Sequence, residues 1–390
     1  MRRRGFIACG AAFLAAGVRP ARAQYVFEGV RMPLVIENNR IYAYFDYPDS
    51  AGKVQPLLTN IDTGGGAVIL ARKAVDALGL TTQALKGAPS GMLAVDLKSV
   101  RAETMTFPVA VAATSSAETT AFMPGASSPA FLPGAVLADH IITFDYTGKA
   151  LVIDGAPLVD GVPLVVQVSK GHAFPRVELE IDGERMGFLL DTGASFTMLS
   201  QSVIDRLHAK HPEWKYLAGA YGPANMIGKG DLASHMLRIP NARWESFDLA
   251  PLDVVSRATG TFEKWMSPMM SAPIVGSLAG NALRNFALRL DYRGNLLHAR
   301  YTPRPWAQEF TMVPLIVHVE RDGSFSVAGG ESAGDIAGAT IVEIDGYPVA
   351  GSSLFHVQDM LRGEPGSVHS IRIAQSGKER IVRLPVRNVF

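Results

Sequence analysis

The chain has 390 residues, of which 48% are hydrophobic and 19% are charged. This length favours two or three domains over a single small one, and the composition excludes a disordered or fibrous protein. Lys and Arg together number 37 and Asp and Glu 36. Because the charges nearly balance, no long-range positive field favours nucleic acid or an anionic membrane surface as a partner.

The N-terminal segment 1–23 has the pattern of a secretory signal peptide. Arginines at positions 2–4 precede an apolar run at 6–18, and Ala-Arg-Ala at 21–23 offers a small-residue cleavage site. A membrane anchor is the alternative interpretation. The apolar run is shorter than the roughly 20 residues that a spanning helix needs, so we expect cleavage.

Cleavage after Ala23 would place the mature chain in the periplasm or outside the cell, with no membrane span. Arg3 and Arg4 are similar to the pair in twin-arginine signals, which would imply export after folding. Cleavage would also remove Cys9, the single cysteine. The mature protein would then have neither a disulfide nor a thiolate nucleophile.

Beyond residue 24 the sequence alternates short β-type runs with Gly, Pro and Asn turns, and it contains an internal repeat. In each copy a Pro-Leu-Val segment is followed by a hairpin and by an apolar run that ends in Asp-Thr-Gly, at 62–64 and at 191–193. Both copies continue with a helical stretch and a closing Asp-Tyr element: 71–78 and 145–146 in the first, 200–208 and 291–292 in the second. The repeat predicts two related halves, 24–156 and 157–303.

A change of pattern near 302–305 predicts a further boundary and a third domain at 311–390. Here Ile-Val-Glu-Ile-Asp-Gly at 341–346, a helix-like segment at 354–361 and Pro-Gly at 365–366 follow one another. This order resembles the PDZ modules of exported bacterial proteases. The resemblance implies a β/α module that binds a peptide, such as a C-terminal tail, by strand addition.

The paired Asp-Thr-Gly triplets resemble the loops of aspartic proteases of the pepsin and retropepsin type. The resemblance covers about residues 25–302 and implies a mainly β, pseudo-dimeric protein of two retropepsin-like closed β-barrel half-domains. It also implies that Asp62 and Asp191 form the catalytic pair. The alternative is that each triplet is an ordinary turn, since Asp and Gly favour turns for local reasons.

In such proteases the threonines bond to the opposite loop, so the resemblance assigns Thr63 and Thr192 to the scaffold of the site. Gly64 and Gly193 would let the backbone approach the carboxylates closely. Two carboxylates held about 3 Å apart cannot both ionise and therefore share a proton. The charged member can deprotonate a water while the protonated member polarises the scissile carbonyl.

The sequence therefore predicts a monomeric endopeptidase that acts on polypeptides without a metal or cofactor. It contains no zinc-protease histidine pattern, nucleophile elbow, phosphate loop or dinucleotide fingerprint. Gly65 follows the first triplet and Ala194 the second, at a position where pepsin-like enzymes often carry a hydroxyl. Because of Gly65, the alternative is a catalytically weak or inactive protein that retains the fold and binds peptides. A processing enzyme that cuts a single partner is a further alternative.

A substrate-binding flap is expected between each triplet and the closing element of its half. The glycine-rich segments 87–91 and 219–230 are the candidates, with Gly91, Tyr221 and Gly222 as candidate contact residues. Plain surface hairpins are the alternative interpretation of both segments.

Export predicts a new N-terminus. Because the apolar run ends in a cleavage site, the native mature protein should begin at or near Gln24 and be absent from the cytoplasm. N-terminal sequencing of the purified native protein tests this expectation. An intact Met1 on a cytoplasmic protein would contradict it.

Overall fold

The computed structural model describes residues 29–84, 91–115, 128–303 and 309–390. The predicted signal peptide at 1–23 and most of the first flap segment lie outside these residues, as does part of the boundary near 302–305. The described part is mainly β, with short helices between strands, and this confirms the prediction of a mainly β protein.

The strands and helices of the first half lie between Val30 and Ile153. They are β1 (Val30–Pro33), β2 (Val35–Glu37), β3 (Arg40–Pro48), β4 (Val54–Asp62), β5 (Val68–Leu70), α1 (Arg72–Ala77), β6 (Thr82–Ala84), β7 (Met92–Val95), β8 (Ser99–Ala102), β9 (Met105–Pro108), β10 (Ala112–Ser115), β11 (Ala130–Pro133), α2 (Gly134–Leu137), β12 (Ile141–Asp145) and β13 (Ala150–Ile153).

The second half repeats this order and adds short helical turns. Its elements are β14 (Val162–Val165), β15 (Gln167–Val168), β16 (Pro175–Ile181), β17 (Glu184–Leu190), β18 (Met198–Ser200), α3 (Gln201–Lys210), β19 (Tyr216–Ala218), 3₁₀ turns at Gly222–Ala224 and Gly228–Ala233, β20 (His235–Ile239), β21 (Ala242–Trp244), β22 (Phe247–Asp248), β23 (Leu252–Arg257), a π-helical turn at Thr261–Met266, a 3₁₀ turn at Ser267–Met269, β24 (Gly276–Leu278), α4 (Gly280–Leu283), β25 (Phe286–Asp291) and β26 (Leu296–Tyr301).

The C-terminal region, residues 309–390, forms a third group of elements. They are β27 (Thr311–Met312), β28 (Ile316–Val319), β29 (Phe325–Gly329), a 3₁₀ turn at Gly334–Ile336, β30 (Thr340–Ile344), β31 (Tyr347–Pro348), α5 (Leu354–Met360), β32 (Val368–Gln375), β33 (Lys378–Pro385) and β34 (Arg387–Asn388).

Each half contains a ten-stranded sheet, and the two sheets have the same strand order. The first runs β6-β7-β10-β5-β11-β4-β3-β8-β9 with β2 on β3, and the second runs β19-β20-β23-β18-β24-β17-β16-β21-β22 with β15 on β16. The strands form because apolar residues alternate with polar ones. In β16, for example, Val177, Leu179 and Ile181 are buried while Glu178 and Glu180 are exposed. Identical topology in both halves is what a duplicated sequence should fold into.

A third sheet joins the halves. Its order is β1-β13-β12-β25-β26-β14, and the central pair β12 and β25 is antiparallel, with Ile142 opposite Leu290 and Phe144 opposite Leu288. These four side chains are fully buried. The halves therefore share a continuous hydrogen-bonded sheet, a connection that the sequence repeat did not predict.

The C-terminal region packs β28-β29-β30-β32-β33 beside α5 and shares an apolar core with the second half. Phe310 has its ring centroid 5.8 Å from that of Phe196, in the second half, and 5.4 Å from that of Phe390. Tyr221 and Met236 of the second half belong to the same core. The C-terminal region therefore depends on the second half for part of its burial.

Within residues 29–84, 91–115, 128–303 and 309–390, no helix combines the length and the apolar character that crossing a membrane requires.

The shared core can be tested with Phe310→Ala. Because Phe310 lies between rings from the second half and from the C-terminal end, its truncation should cost about 3 to 5 kcal/mol of unfolding free energy, measured by urea denaturation. Ile381→Ala is the control, since Ile381 is 58% exposed on β33, and it should cost less than about 1 kcal/mol. If the C-terminal region unfolded in a separate transition at a lower urea concentration than the second half, the result would contradict a shared core.

Candidate active site

Both aspartates lie at the ends of central strands. Asp62 is the last residue of β4, and Asp191 directly follows β17. Each strand is flanked in parallel by the strand of its closing element, with β11 beside β4 and β24 beside β17. The Asp191 N–H donates to the Leu278 carbonyl of β24 at 2.9 Å. The sheets therefore fix both loops at equivalent places.

The two loops are joined by their threonines. The Thr63 N–H donates to Thr192 Oγ1 at 3.2 Å, and the Thr192 N–H donates to Thr63 Oγ1 at 3.0 Å. Each hydroxyl also donates across the interface, Thr192 Oγ1 to the Ile61 carbonyl at 2.7 Å and Thr63 Oγ1 to the Leu190 carbonyl. Both threonines are fully buried. The opposite half therefore provides the hydrogen bonds of each threonine.

The glycines of the triplets bring the two carboxyl groups together. A Cβ on Gly64 would lie 3.0 Å from Asp191 Cγ, and a Cβ on Gly193 would overlap the Asp62 carboxyl group. Each aspartate therefore packs against the glycine of the opposite loop. A side chain at either glycine would push the loops apart, so glycine is required for this close approach.

Backbone N–H groups of each loop bond to the carboxylate of that loop. Asp62 Oδ1 accepts the Gly64 N–H at 2.9 Å, whereas Asp191 Oδ1 accepts the N–H groups of both Gly193 (3.0 Å) and Ala194 (3.1 Å). A Cβ on Gly65 would lie 2.8 Å from Asp62 Oδ2. Gly65 therefore supplies no hydroxyl donor to Asp62 and also makes room for its carboxyl group.

Burial is the main influence on the protonation of the pair. Desolvation, followed by the charge of Asp62, raises the pKa of Asp191 to about 7. Desolvation also raises the pKa of Asp62, although the surrounding N–H groups and the Arg40 guanidinium lower it in part. Two carboxyls in such a site hold one proton over a wide pH range, because the second ionisation would place like charges side by side.

The tyrosines of the two closing elements lie near the opposite aspartates. Burial raises the pKa of Tyr146, and the charge of Asp191 raises it further. The pKa of Tyr292 is likewise raised by burial and then by the charge of Asp62. Neither hydroxyl has a hydrogen-bond partner among the described residues. The Asp-Tyr repeat, recognised only as a marker of duplication, thus contributes a tyrosine to each side of the site.

The flap candidates have different surroundings. Gly91 is a turn residue with φ of 88° directly before β7. Tyr221 is 3% exposed and lies in the core shared with the C-terminal region, and a Cβ on Gly222 would lie 3.1 Å from Met312 Sδ. Two residues of the segment 219–230 contact Ser195, just after the second triplet: Ser195 Oγ lies 3.2 Å from the Pro223 carbonyl oxygen and 3.0 Å from the Met226 sulfur.

Arg40 and Met226 are site residues that the sequence analysis missed. Arg40 Nη2 donates to Met226 Sδ at 3.7 Å, and the guanidinium carbon lies 5.0 Å from the centroid of the Phe355 ring. These contacts join the first half, the second half and α5 beside the aspartates. The sequence feature that could have pointed to Arg40 is its place as an isolated arginine at the start of β3, the strand that pairs with β4.

Comparison with known proteins gives a match in the second half. Residues 177–272, which include Asp191, Thr192 and Gly193, match the family model described as aspartyl protease.

This segment is similar in sequence to the aspartyl proteases.

Among solved structures, the aspartic proteinase from Irpex lacteus aligns with a TM-score of 0.42 and 10% identity, over 72% of this chain and 99% of that one. No curated protein matches the chain. In the described part of the chain, no cluster of three or more His, Cys, Asp or Glu side chains could hold a metal ion.

The raised pKa of Asp191 predicts how stability changes with pH. The unfolded carboxyl has a pKa near 3.9, so the folded protein holds its proton more tightly, and this stabilisation is lost as pH rises through about 7. As pH rises from about 4 to 8, the wild type should therefore lose roughly 2 to 4 kcal/mol of unfolding free energy that Asp191→Asn keeps.

Urea denaturation at a series of pH values measures this difference. Asp160→Asn is the control, because Asp160 is exposed and its φ of 59° suits asparagine. Parallel stability curves for the wild type and Asp191→Asn would contradict the assignment of a raised pKa to Asp191.

Proposed function

We propose that this protein is an exported aspartic endopeptidase that hydrolyses peptide bonds in polypeptides as a monomer. The observation that carries the proposal is the meeting of two Asp-Thr-Gly loops, one from each half, with each carboxyl group packed against the opposite glycine. The aspartyl protease match over residues 177–272 supports it. Thr63, Gly64, Thr192 and Gly193 form the scaffold that holds the pair.

In the proposed reaction, the singly protonated pair acts on a water molecule and on the scissile carbonyl. The charged carboxylate accepts a proton from the water as the water oxygen bonds to the carbonyl carbon. The protonated carboxyl donates its hydrogen bond to the carbonyl oxygen, where negative charge develops. The proton taken from water then passes to the leaving amine, so hydrolysis needs no covalent intermediate.

We further propose that the C-terminal region is the PDZ-like module and that a peptide can add to the edge strand β28 beside α5. In the structure, a loop of the second half lies at this edge. Val317 of β28 donates its N–H to Asn225 Oδ1 at 3.0 Å, and Gln358 of α5 donates to the Asn225 carbonyl at 2.8 Å. A docking peptide would therefore have to displace the segment around Asn225, next to Met226.

A catalytically inactive peptide-binding protein is the second candidate function. The observation in its favour is Gly65, which supplies no hydroxyl donor beside Asp62. In both candidates the polypeptide would bind across the same pair of loops, so activity measurements distinguish them.

The dyad proposal predicts the effect of removing either carboxyl. Asp62→Asn and Asp191→Asn should each lose at least about 10³-fold in kcat/KM on denatured, fluorescently labelled casein, because groups that share one step are strongly non-additive. The double variant should be little worse than either single one. Far-UV circular dichroism and thermal denaturation should show that all three variants remain folded.

Mixing the two single variants distinguishes a monomer from a site formed between chains. Because both loops come from one chain, mixing should restore no activity. Recovery of activity would contradict the monomer, and a wild-type protein that binds a statine-type inhibitor without cleaving casein would favour the peptide-binding alternative.

A further inference from the structure

The register of strands β3 and β4 directs Arg40 towards Asp62. In the antiparallel pair β3 and β4, Tyr42 is opposite Asn60 and Ala43 is opposite Thr59. Continuing this register by two residues places Arg40 opposite Asp62. Directly opposed residues have their side chains on the same face of a sheet, with Cα atoms about 4.5 to 5.5 Å apart. The backbone therefore directs the guanidinium towards the same side as the catalytic carboxyl.

The guanidinium is buried without an anionic partner in direct contact. Arg40 is 7% exposed, and none of the carboxylates in the described part of the chain forms an ion pair with it within 4 Å. Its Nε has no hydrogen-bond partner among those residues. The other contacts are the Met226 sulfur and the face of the Phe355 ring. A buried charge with such contacts requires an opposite charge nearby.

Two sets of carboxyl groups lie near Arg40: Glu37 and the aspartate pair. Glu37 is opposite Arg40 in the β2–β3 hairpin, but it forms no ion pair with Arg40 within 4 Å and accepts a hydrogen bond from Ser353 Oγ at 3.3 Å. The positive charge of Arg40 lowers the pKa of both Asp62 and Asp191.

Arg257, a half-buried neighbour on β23, repels Arg40 but faces its own carboxylate, Asp231, at 3.7 Å. Among the described residues, the phenols of Tyr146 and Tyr292 also lie near the pair, and burial keeps them neutral. One positive charge on Arg40 therefore faces one negative charge on the singly protonated pair.

The second half has no such cation at the equivalent place. In the pair β16 and β17, Arg176 is opposite Leu189, so the position opposite Asp191 is that of Phe174. Phe174 is 3% exposed and packs with Leu189 in a small apolar cluster. The neighbouring Arg176 is fully engaged by Glu178, Gln167 and the Pro273 carbonyl. The cation is thus a specific feature of the first half rather than a consequence of the duplication.

We propose that Arg40 is a positioning residue that acts as the counter-charge of the Asp62 and Asp191 pair and holds the pair in its singly charged state. The proposal rests on the proposed peptidase function, because that state is the one the reaction uses. Loss of the positive charge would disfavour every ionised form of the pair. Both the acid and the alkaline limits of activity would then move to higher pH.

The pH dependence of kcat/KM on labelled casein tests this role in three variants. Arg40→Met keeps the length and removes the charge, and both limits should rise by about one pH unit. Arg40→Lys keeps the charge and should restore the wild-type limits. Arg176→Met removes a buried arginine that is bonded elsewhere, and its limits should match the wild type. A purely structural role would lower activity in Arg40→Met without moving the limits, and that result would overturn the proposal.

A double-mutant cycle tests the same coupling without turnover. The unfolding equilibrium constants of the wild type, Arg40→Met, the Asp62→Asn/Asp191→Asn double variant and the triple variant are compared at pH 6 and pH 3. At pH 6, Arg40→Met should raise the unfolding constant in the wild-type background and less in the background that lacks both carboxyls. The two increases should differ about tenfold, which is the equivalent of one pKa unit. The difference should disappear at pH 3, where the pair is neutral.

The two tests separate the inference from the proposed function. If the wild type neither cleaves casein nor binds a statine-type inhibitor, the peptidase proposal fails, while the cycle still decides the role of Arg40. Absence of coupling at pH 6 overturns the inference whether or not the protein is active. A rise in KM confined to acidic peptides, with unchanged pH limits, would assign Arg40 to substrate selection and also overturn it.

Discussion

The hydrogen bonds exchanged between Thr63 and Thr192 are the interaction on which the rest of the site depends. Each backbone N–H and each hydroxyl finds its partner in the opposite half, at a place where both threonines are fully buried. A buried donor left without a partner costs about 1 to 3 kcal/mol, so neither loop is stable in this conformation without the other. The same contact sets the separation of the halves at which Gly64 and Gly193 can pack against the carboxyl groups.

This fixed separation places two carboxyl groups close together, and the charged surroundings of the two groups differ between the halves. Two carboxyls are desolvated side by side, which favours a shared proton. The N–H groups of each loop lower the pKa of its own aspartate, but the first half also has a buried arginine, Arg40, on the neighbouring strand. The duplicated fold is therefore symmetric in its topology and asymmetric in its charge, so the two aspartates have distinct surroundings.

The C-terminal region is continuous with this site. It shares an apolar core with the second half, and α5 packs Phe355 over the Arg40 guanidinium. The Asn225 segment bonds to β28 and α5, and the adjacent Met226 contacts Ser195 after the second triplet. Any movement of α5 or of this segment would change the surroundings of Arg40 and of the second loop. A C-terminal region that had only been attached by a linker would lack this connection.

The sequence alone determined the features that depend on local pattern and on repetition. Alternating apolar residues predicted the mainly β fold, and two matching triplets predicted Asp62 and Asp191 in equivalent loops. These features are readable because strand periodicity and turn chemistry act over a few residues. The C-terminal helix was expected at 354–361 and is observed at Leu354–Met360 for the same reason.

Only the tertiary structure decided the features that depend on register and on contacts between distant segments. The hairpins before the two triplets have different loop lengths, so the sequence could not show that Arg40 faces Asp62 while Phe174 holds the equivalent position. The sheet shared by the halves and the core shared with the C-terminal region follow from apolar faces that could have been covered in several ways. Burial is non-directional, so the pattern of a strand determines that a face is covered, and the packing of the whole chain decides what covers it.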